Sequence, residues 1–170
     1  MREGWINTTI KSLVAEGIIE KPLDGNHGEI HPKKSDFVEV GVPFIMASDL
    51  KNGIVDINNC YYISEEQAKK LRKGFAKNED VLISHKGTIG RTAIVNCEKE
   101  FIVLTPQVSY YRILKKDLLW NKYLRHYFNG PDFQLDMQSY AKAGSTRAYI
   151  GITKQLELNF SYPPLSEQKQ

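Results

Sequence analysis

Cysteine is scarce in this 170-residue chain: Cys60 and Cys97 stand far apart and outside any CxxC pair. That excludes a disulfide-stapled scaffold and a thiolate zinc site, and points to a reducing, cytoplasmic setting. No apolar run approaches the ~20 residues of a membrane-spanning helix. The opening residues, Met1-Arg2-Glu3-Gly4-Trp5, lack the apolar stretch of a secretory signal. Glycine-rich phosphate loops are missing too. Gly87-Thr88-Ile89-Gly90 supplies only GxxG, short of a dinucleotide or P-loop fingerprint. An adenine methyltransferase would need an Asn/Asp-Pro-Pro-aromatic turn and an upstream GxG. Tyr162-Pro163-Pro164-Leu165 has the wrong first and last residues, and no GxG occurs. No Ser-His-Asp or Cys-His arrangement stands out by spacing. Nor is one charge in large excess: the net charge is +3, so overall charge says little about a polyanionic partner.

What is present is a soluble domain with material for its own core, 41% hydrophobic and 25% charged. Its cations are unevenly spread. Between positions 69 and 91 there are seven basic residues and two acids, and between 142 and 154 three basic residues and no acid. Two readings compete for the first run. One is a cationic surface for an anionic partner. The other is helix electrostatics. Ser64 and Gln67 form a capping box, Glu65 and Glu66 sit at the positive end, Lys69, Lys70, Arg72 and Lys73 crowd the negative end, and Gly74 ends the helix.

The most organised stretch is 80–95. Val81-Leu82-Ile83 and Ala93-Ile94-Val95 are apolar runs suited to buried strands. Between them lies a loop with Ser84, His85, Lys86, Thr88, Arg91 and two glycines. Around this hairpin the pattern predicts a helix over 8–16 capped by Thr8, and a strand over 42–47 whose Pro43 suits an edge or a strand start. It also predicts strands over 101–104 and 107–113. Helices follow over 117–128 and 132–141, the first with an aromatic face built from Trp120, Tyr123, Leu124, Tyr127 and Phe128. A last strand spans 156–162, and Leu165-Ser166-Glu167-Gln168 begins a helix that is not finished. The expected fold is α+β: one compact domain with a mixed, mostly antiparallel, twisted or barrel-like sheet flanked by short helices.

Three polar loops, 24–34, 85–91 and 144–149, suit contact with an anion. His27 and His31 lie four apart, but Gly28 and Pro32 argue against the helix that would aim both at one metal, and a third ligand is missing. One enzymatic alternative is a small Mg²⁺-dependent nuclease using Asp132, Glu167 and Lys169. It is opposed by the opening of a helix at Asp132 and by the Pro-Pro before Glu167, since the carboxylates must sit together to hold the metal.

A set of motifs then aligns along nearly the whole chain. They are Gly41-Val42-Pro43-Phe44-Ile45, Asp49-Leu50 with Gly53-Ile54, Asp80-Val81-Leu82-Ile83-Ser84 with Gly87-Thr88-Ile89-Gly90, Gly144-Ser145-Thr146-Arg147, and Pro163-Pro164-Leu165-Ser166-Glu167-Gln168. In this order they resemble the target recognition domain of the DNA specificity subunit of type I restriction–modification enzymes. The resemblance implies a non-catalytic module that reads one half of a split double-stranded DNA target. It would present that DNA to adenine methyltransferase subunits that bind S-adenosylmethionine, and to a restriction/translocase subunit that uses ATP and Mg²⁺. No cofactor is expected in this chain itself. It resembles half a subunit: residues 1–163 correspond to the recognition domain, and 164–170 to the start of a helix that separates two such domains. A second half-site then calls for another copy or a second domain. A recognition domain within a fused methyltransferase–nuclease is the other alternative.

On this reading the DNA contacts come from Asn26, His27, Lys33 and Lys34 in the first loop, from Lys86, Thr88 and Arg91 around the hairpin, and from Ser145, Thr146 and Arg147. Cations are expected to meet phosphates, and side chains with two hydrogen-bonding atoms to read bases. Motifs shared among domains that read different DNA are expected to frame the backbone, which leaves base reading to the less family-like 24–34.

Overall fold

Neighbouring residues of a strand point to opposite faces, yet Val81, Leu82 and Ile83 are all fully buried. The sheet that holds them must therefore be covered on both sides. In the computed structural model, which describes residues 4–142 and 148–170, that is what the chain builds. In order, the elements are β1 (Ile6–Thr9), α1 (Ile10–Ala15), β2 (Leu23–Asp24), β3 (Phe37–Val38), β4 (Val42–Ile45), β5 (Leu50–Lys51), β6 (Gly53–Val55) and β7 (Tyr61–Ile63). Then follow α2 (Glu65–Lys69), β8 (Phe75–Ala76), β9 (Val81–Lys86), β10 (Thr88–Ile94), β11 (Ile102–Leu104) and β12 (Val108–Tyr111). The last are α3 (Asn121–Asn129), α4 (Pro131–Lys142), α5 (Ile152–Gln155), β13 (Asn159–Tyr162) and α6 (Leu165–Gln168).

One sheet has the order β2-β12-β9-β10-β6-β5 and another β3-β7-β4-β11-β8. Each has a single parallel pairing, β6 with β10 and β4 with β11, and is otherwise antiparallel. β1 and β13 form a separate antiparallel ribbon. The α+β, mixed and mostly antiparallel expectation holds. The strands divide between two open sheets and a ribbon, however, and do not curl into one barrel.

The alternation of side chains explains the layering. Val81, Ile83 and Tyr111 join a core with Leu13, Leu124, Phe128 and Phe160, contributed by the helices and the ribbon. Leu82, Ala93, Val108 and Tyr110 turn the other way and meet Ile45, Ala76, Ile102 and Leu104 of the second sheet. The far side of that second sheet buries Val42, Phe44, Ile63 and Val103 with Ala68 and Leu71.

Several elements depart from expectation for tertiary reasons. The first helix starts two residues later, with Thr9 as its cap: its hydroxyl accepts from the Ser12 amide at 3.2 Å, because Thr8 is taken up by the ribbon. Pro43 lies near the start of β4, as one of the two expected placements has it, but β4 is not an edge strand and runs between β7 and β11. The proline is tolerated because the pairing with β11 begins only at Phe44. The aromatic helix begins at Asn121 and not at 117, where the Trp120 amide donates to Gln168 Oε1 at 2.9 Å. The last strand begins at Asn159, because Leu156 ends the unforeseen α5.

Candidate nucleic-acid interface

The hairpin tip is tighter than the sequence implies. β9 continues through Lys86, which pairs with Thr88 across Gly87 alone. Gly87 has φ +76°, a left-handed conformation that glycine adopts without strain. The pairing shifts register between Ile89 and Thr92, and Gly90 sits in that bulge at φ +89°. Gln134 of α4 holds it there, its Nε2 donating to Gly90 O at 3.0 Å and to Phe128 O at 2.7 Å. A Cβ at Gly90 would lie 2.0 Å from Gln134 Oε1. The two glycines of the GxxG thus shape the turn and the bend. Thr88 and Arg91 stand exposed and Lys86 is half-buried. The Arg91 amide donates to Ser84 Oγ at 3.0 Å.

His85 was expected in the loop, but it lies in the strand and is fully buried. Its Nδ1 is 3.0 Å from Ile150 O. A carbonyl only accepts, so Nδ1 carries the proton. Among the described residues Nε2 has no hydrogen-bond partner, and it lies 3.9 Å from Asp24 Oδ2. Burial pulls the pKa of His85 down to about 4, against partial opposition from Asp24. Asp24, itself buried, also binds His27 Nε2 at 2.9 Å and the Lys73 ammonium. Burial pushes its carboxyl up, but the hydrogen bonds from Lys73 and His27 outweigh this and leave its pKa below the ordinary value. Asp24 therefore joins the first loop, the basic run and the hairpin strand.

Ala148, Tyr149 and Ile150 meet the same place. Ser145, Thr146 and Arg147 lie outside the described residues, but the chain just after them is tied to the hairpin. Gly87 N donates to Ala148 O, Ile150 N donates to His85 O (both 2.9 Å), and Lys86 bridges to Tyr149. Gln155, fully buried, braces the junction: Nε2 donates to Ile150 O at 3.0 Å, and Oε1 accepts from Ser109 and Tyr111 at 3.0 and 2.8 Å. No sequence signal marked Gln155, because the two hydroxyls that bond its Oε1 come from a strand over 40 residues away.

In the first loop, Lys33 and Lys34 are exposed and make no ion pair among the described residues, and His27 is also exposed. Asn26 is not available to a partner. It is 3% exposed, its Oδ1 accepts from Arg72 N at 2.9 Å, and its Nδ2 donates to Lys73 O at 2.6 Å. A residue expected to read a base instead anchors the backbone of the basic run. The surface left at this end carries cations, a hydroxyl and an imidazole on a rigid base, which fits contact with phosphates and base edges.

The sequence model of the type I restriction modification DNA specificity domain family matches residues 16–170. The chain belongs to this family. Among curated relatives of the DNA specificity domain, the Escherichia coli type I restriction enzyme EcoBI specificity subunit is 28% identical over 93 residues. That match covers 55% of this chain and 18% of the relative. A putative type I restriction enzyme specificity subunit of Haemophilus influenzae, S.HindORF215P, is 35% identical over 112 residues, covering 63% and 26%. These matches therefore span only 18% and 26% of the relatives' own length. Two solved structures share the fold across 99% of this chain and 36% of theirs. One is from work on complex assembly and conformational transition of the type I R-M system, with TM-score 0.71 and 20% identity. The other is the HsdS subunit of Thermoanaerobacter tengcongensis, with TM-score 0.68 and 19% identity.

Neither the nuclease nor the fused-enzyme alternative finds support in these matches. Asp132 opens α4, and Glu167 Oε1 accepts from Trp5 Nε1 at 3.1 Å. No hydrogen bond or ion pair among the described residues joins either of them to Lys169. No helix among the described residues is long and apolar enough to cross a membrane.

Proposed function

We propose that this DNA specificity domain is a double-stranded DNA recognition module of a type I restriction–modification system, reading one half of a split target. The observation that carries the reading is the convergence of three separated segments on Asp24, His85 and Ile150. Lys86, Thr88 and Arg91, with His27, Lys33 and Lys34, are the contacts we assign to DNA, joined by Ser145, Thr146 and Arg147. The module works in the cytoplasm as a recognition component and not as an enzyme. Methyltransferase subunits that bind S-adenosylmethionine, and an ATP- and Mg²⁺-using restriction subunit, act on the DNA it places. Residues 1–163 are the recognition domain and 164–170 the start of a helix, and the second half of the target falls to another copy or to a second recognition domain.

Selection of bound duplexes from a random library by the full chain is the test. Enrichment of one short motif, reduced when Thr88 and Arg91 are replaced by alanine, is the expected result. A library that stays random at every salt concentration would sink the reading.

A further inference from the structure

Helix electrostatics accounts for only part of the basic run of 69–77: Lys69 stands in the last turn of α2. α2 ends at Lys69, so Arg72, Lys73 and Lys77 lie beyond the last turn, where the helix dipole no longer reaches them. Lys70 is paired with Glu66 at 3.1 Å. Lys69, Arg72 and Lys77 are exposed and make no ion pair among the described residues.

This segment is held with unusual care for an exposed cationic loop. Asn26 takes up both the Arg72 amide and the Lys73 carbonyl. Lys73 is tied to Asp24. Gly74, at φ +79°, is so close to the first loop that a Cβ would lie 2.7 Å from Gly25 Cα. The cations therefore project from fixed backbone, against their mutual repulsion. They border an open groove of about 470 Å³ floored by Leu23, Phe75, Phe101 and Tyr110. Lys69, Arg72 and Lys77 line it, together with Lys73 and Arg112, which are neutralised by Asp24 and by Asp80 and Glu20, and no acidic side chain among the described residues lines it.

We infer that Lys69, Arg72 and Lys77 form a second phosphate-contacting strip, which takes up duplex backbone beside the loops that meet the bases. The inference rests on the DNA-recognition reading above. Because Asn26 and Asp24 couple this strip to the first loop and to the hairpin strand, the strip fixes where the backbone lies relative to the reading loops. Contacts of this kind add affinity and salt dependence and no sequence preference.

The test compares binding of the full chain to a mixed-sequence duplex across a salt series, by fluorescence anisotropy. Each lost phosphate contact makes the log–log salt dependence shallower by about 0.9. The triple variant Lys69→Gln/Arg72→Gln/Lys77→Gln should therefore lose affinity and flatten the slope by about 2–3. A control triple on other exposed lysines, Lys11→Gln/Lys115→Gln/Lys122→Gln, should leave the slope unchanged. Circular dichroism and thermal melting confirm that both triples are folded. A wild-type slope kept in the strip variant, or an equal loss in the control, overturns the strip while the recognition reading stands. A wild-type chain that binds no duplex at any salt overturns both.

Discussion

Asn26 shows how far one residue's role depends on its surroundings. A side-chain amide with a donor and an acceptor suits an adenine edge, but here it is spent on two backbone groups 46 and 47 residues away. Replacing it with alanine leaves the Arg72 amide and Lys73 carbonyl unpaired, and should cost about 2 kcal/mol in urea unfolding. His85 gives the pH prediction. Its folded pKa of about 4 lies below the ordinary 6.5, so the unfolded chain binds the proton more readily. Stability should therefore be full above about pH 6.5 and fall toward pH 4, by on the order of 3 kcal/mol. His85→Asn, whose amide nitrogen can replace Nδ1 opposite Ile150 O, should flatten that part of the profile. His31, lowered by burial, leaves a remainder with the same sign. The lowered Asp24 pKa adds a loss at more acidic pH, below the ordinary carboxylate value of 3.8.

At the scale of the element, the hairpin is a bent arm whose curvature is set from outside by α4. Gly90→Ala meets both an unfavourable φ and the Gln134 carbonyl oxygen. The conformation alone should cost about 1–3 kcal/mol. In a Gln134→Ala background the clash is gone and only that conformational part should remain, a coupling that a double-mutant cycle of unfolding free energies reads directly. Equal costs in the two backgrounds would show that Gln134 does not hold the bulge. The basic run carries the complementary lesson: its helix cap was legible, since Ser64 Oγ does accept from Gln67 N at 3.1 Å. The helix stops at Lys69, short of Gly74, and beyond it the Arg72 amide donates to Asn26 of the first loop.

For the molecule as a whole, the two sheets share one interior through Leu82, and the helices share another through Val81 and Ile83. Leu82→Ala should therefore destabilise the entire domain by about 2–5 kcal/mol. Far-UV circular dichroism and tryptophan fluorescence should still report one coincident unfolding transition; separate transitions would mean that the sheets fold independently. The sequence by itself determined the local chemistry. Apolar runs marked the buried strands, the Gly87 and Gly90 spacing marked the hairpin, the caps and aromatic face marked the helices, and the ordered motifs marked the family. All of these rest on neighbours close along the chain or on side-chain type. Only the tertiary structure decided that the strands form two sheets, that His85 and Asn26 are buried, and that Gln155 ties Ile150 to Ser109 and Tyr111. It also left Lys69, Arg72 and Lys77 without an ion pair among the described residues. Those outcomes depend on partners tens of residues away, whose approach is set by how the faces of the sheets pack.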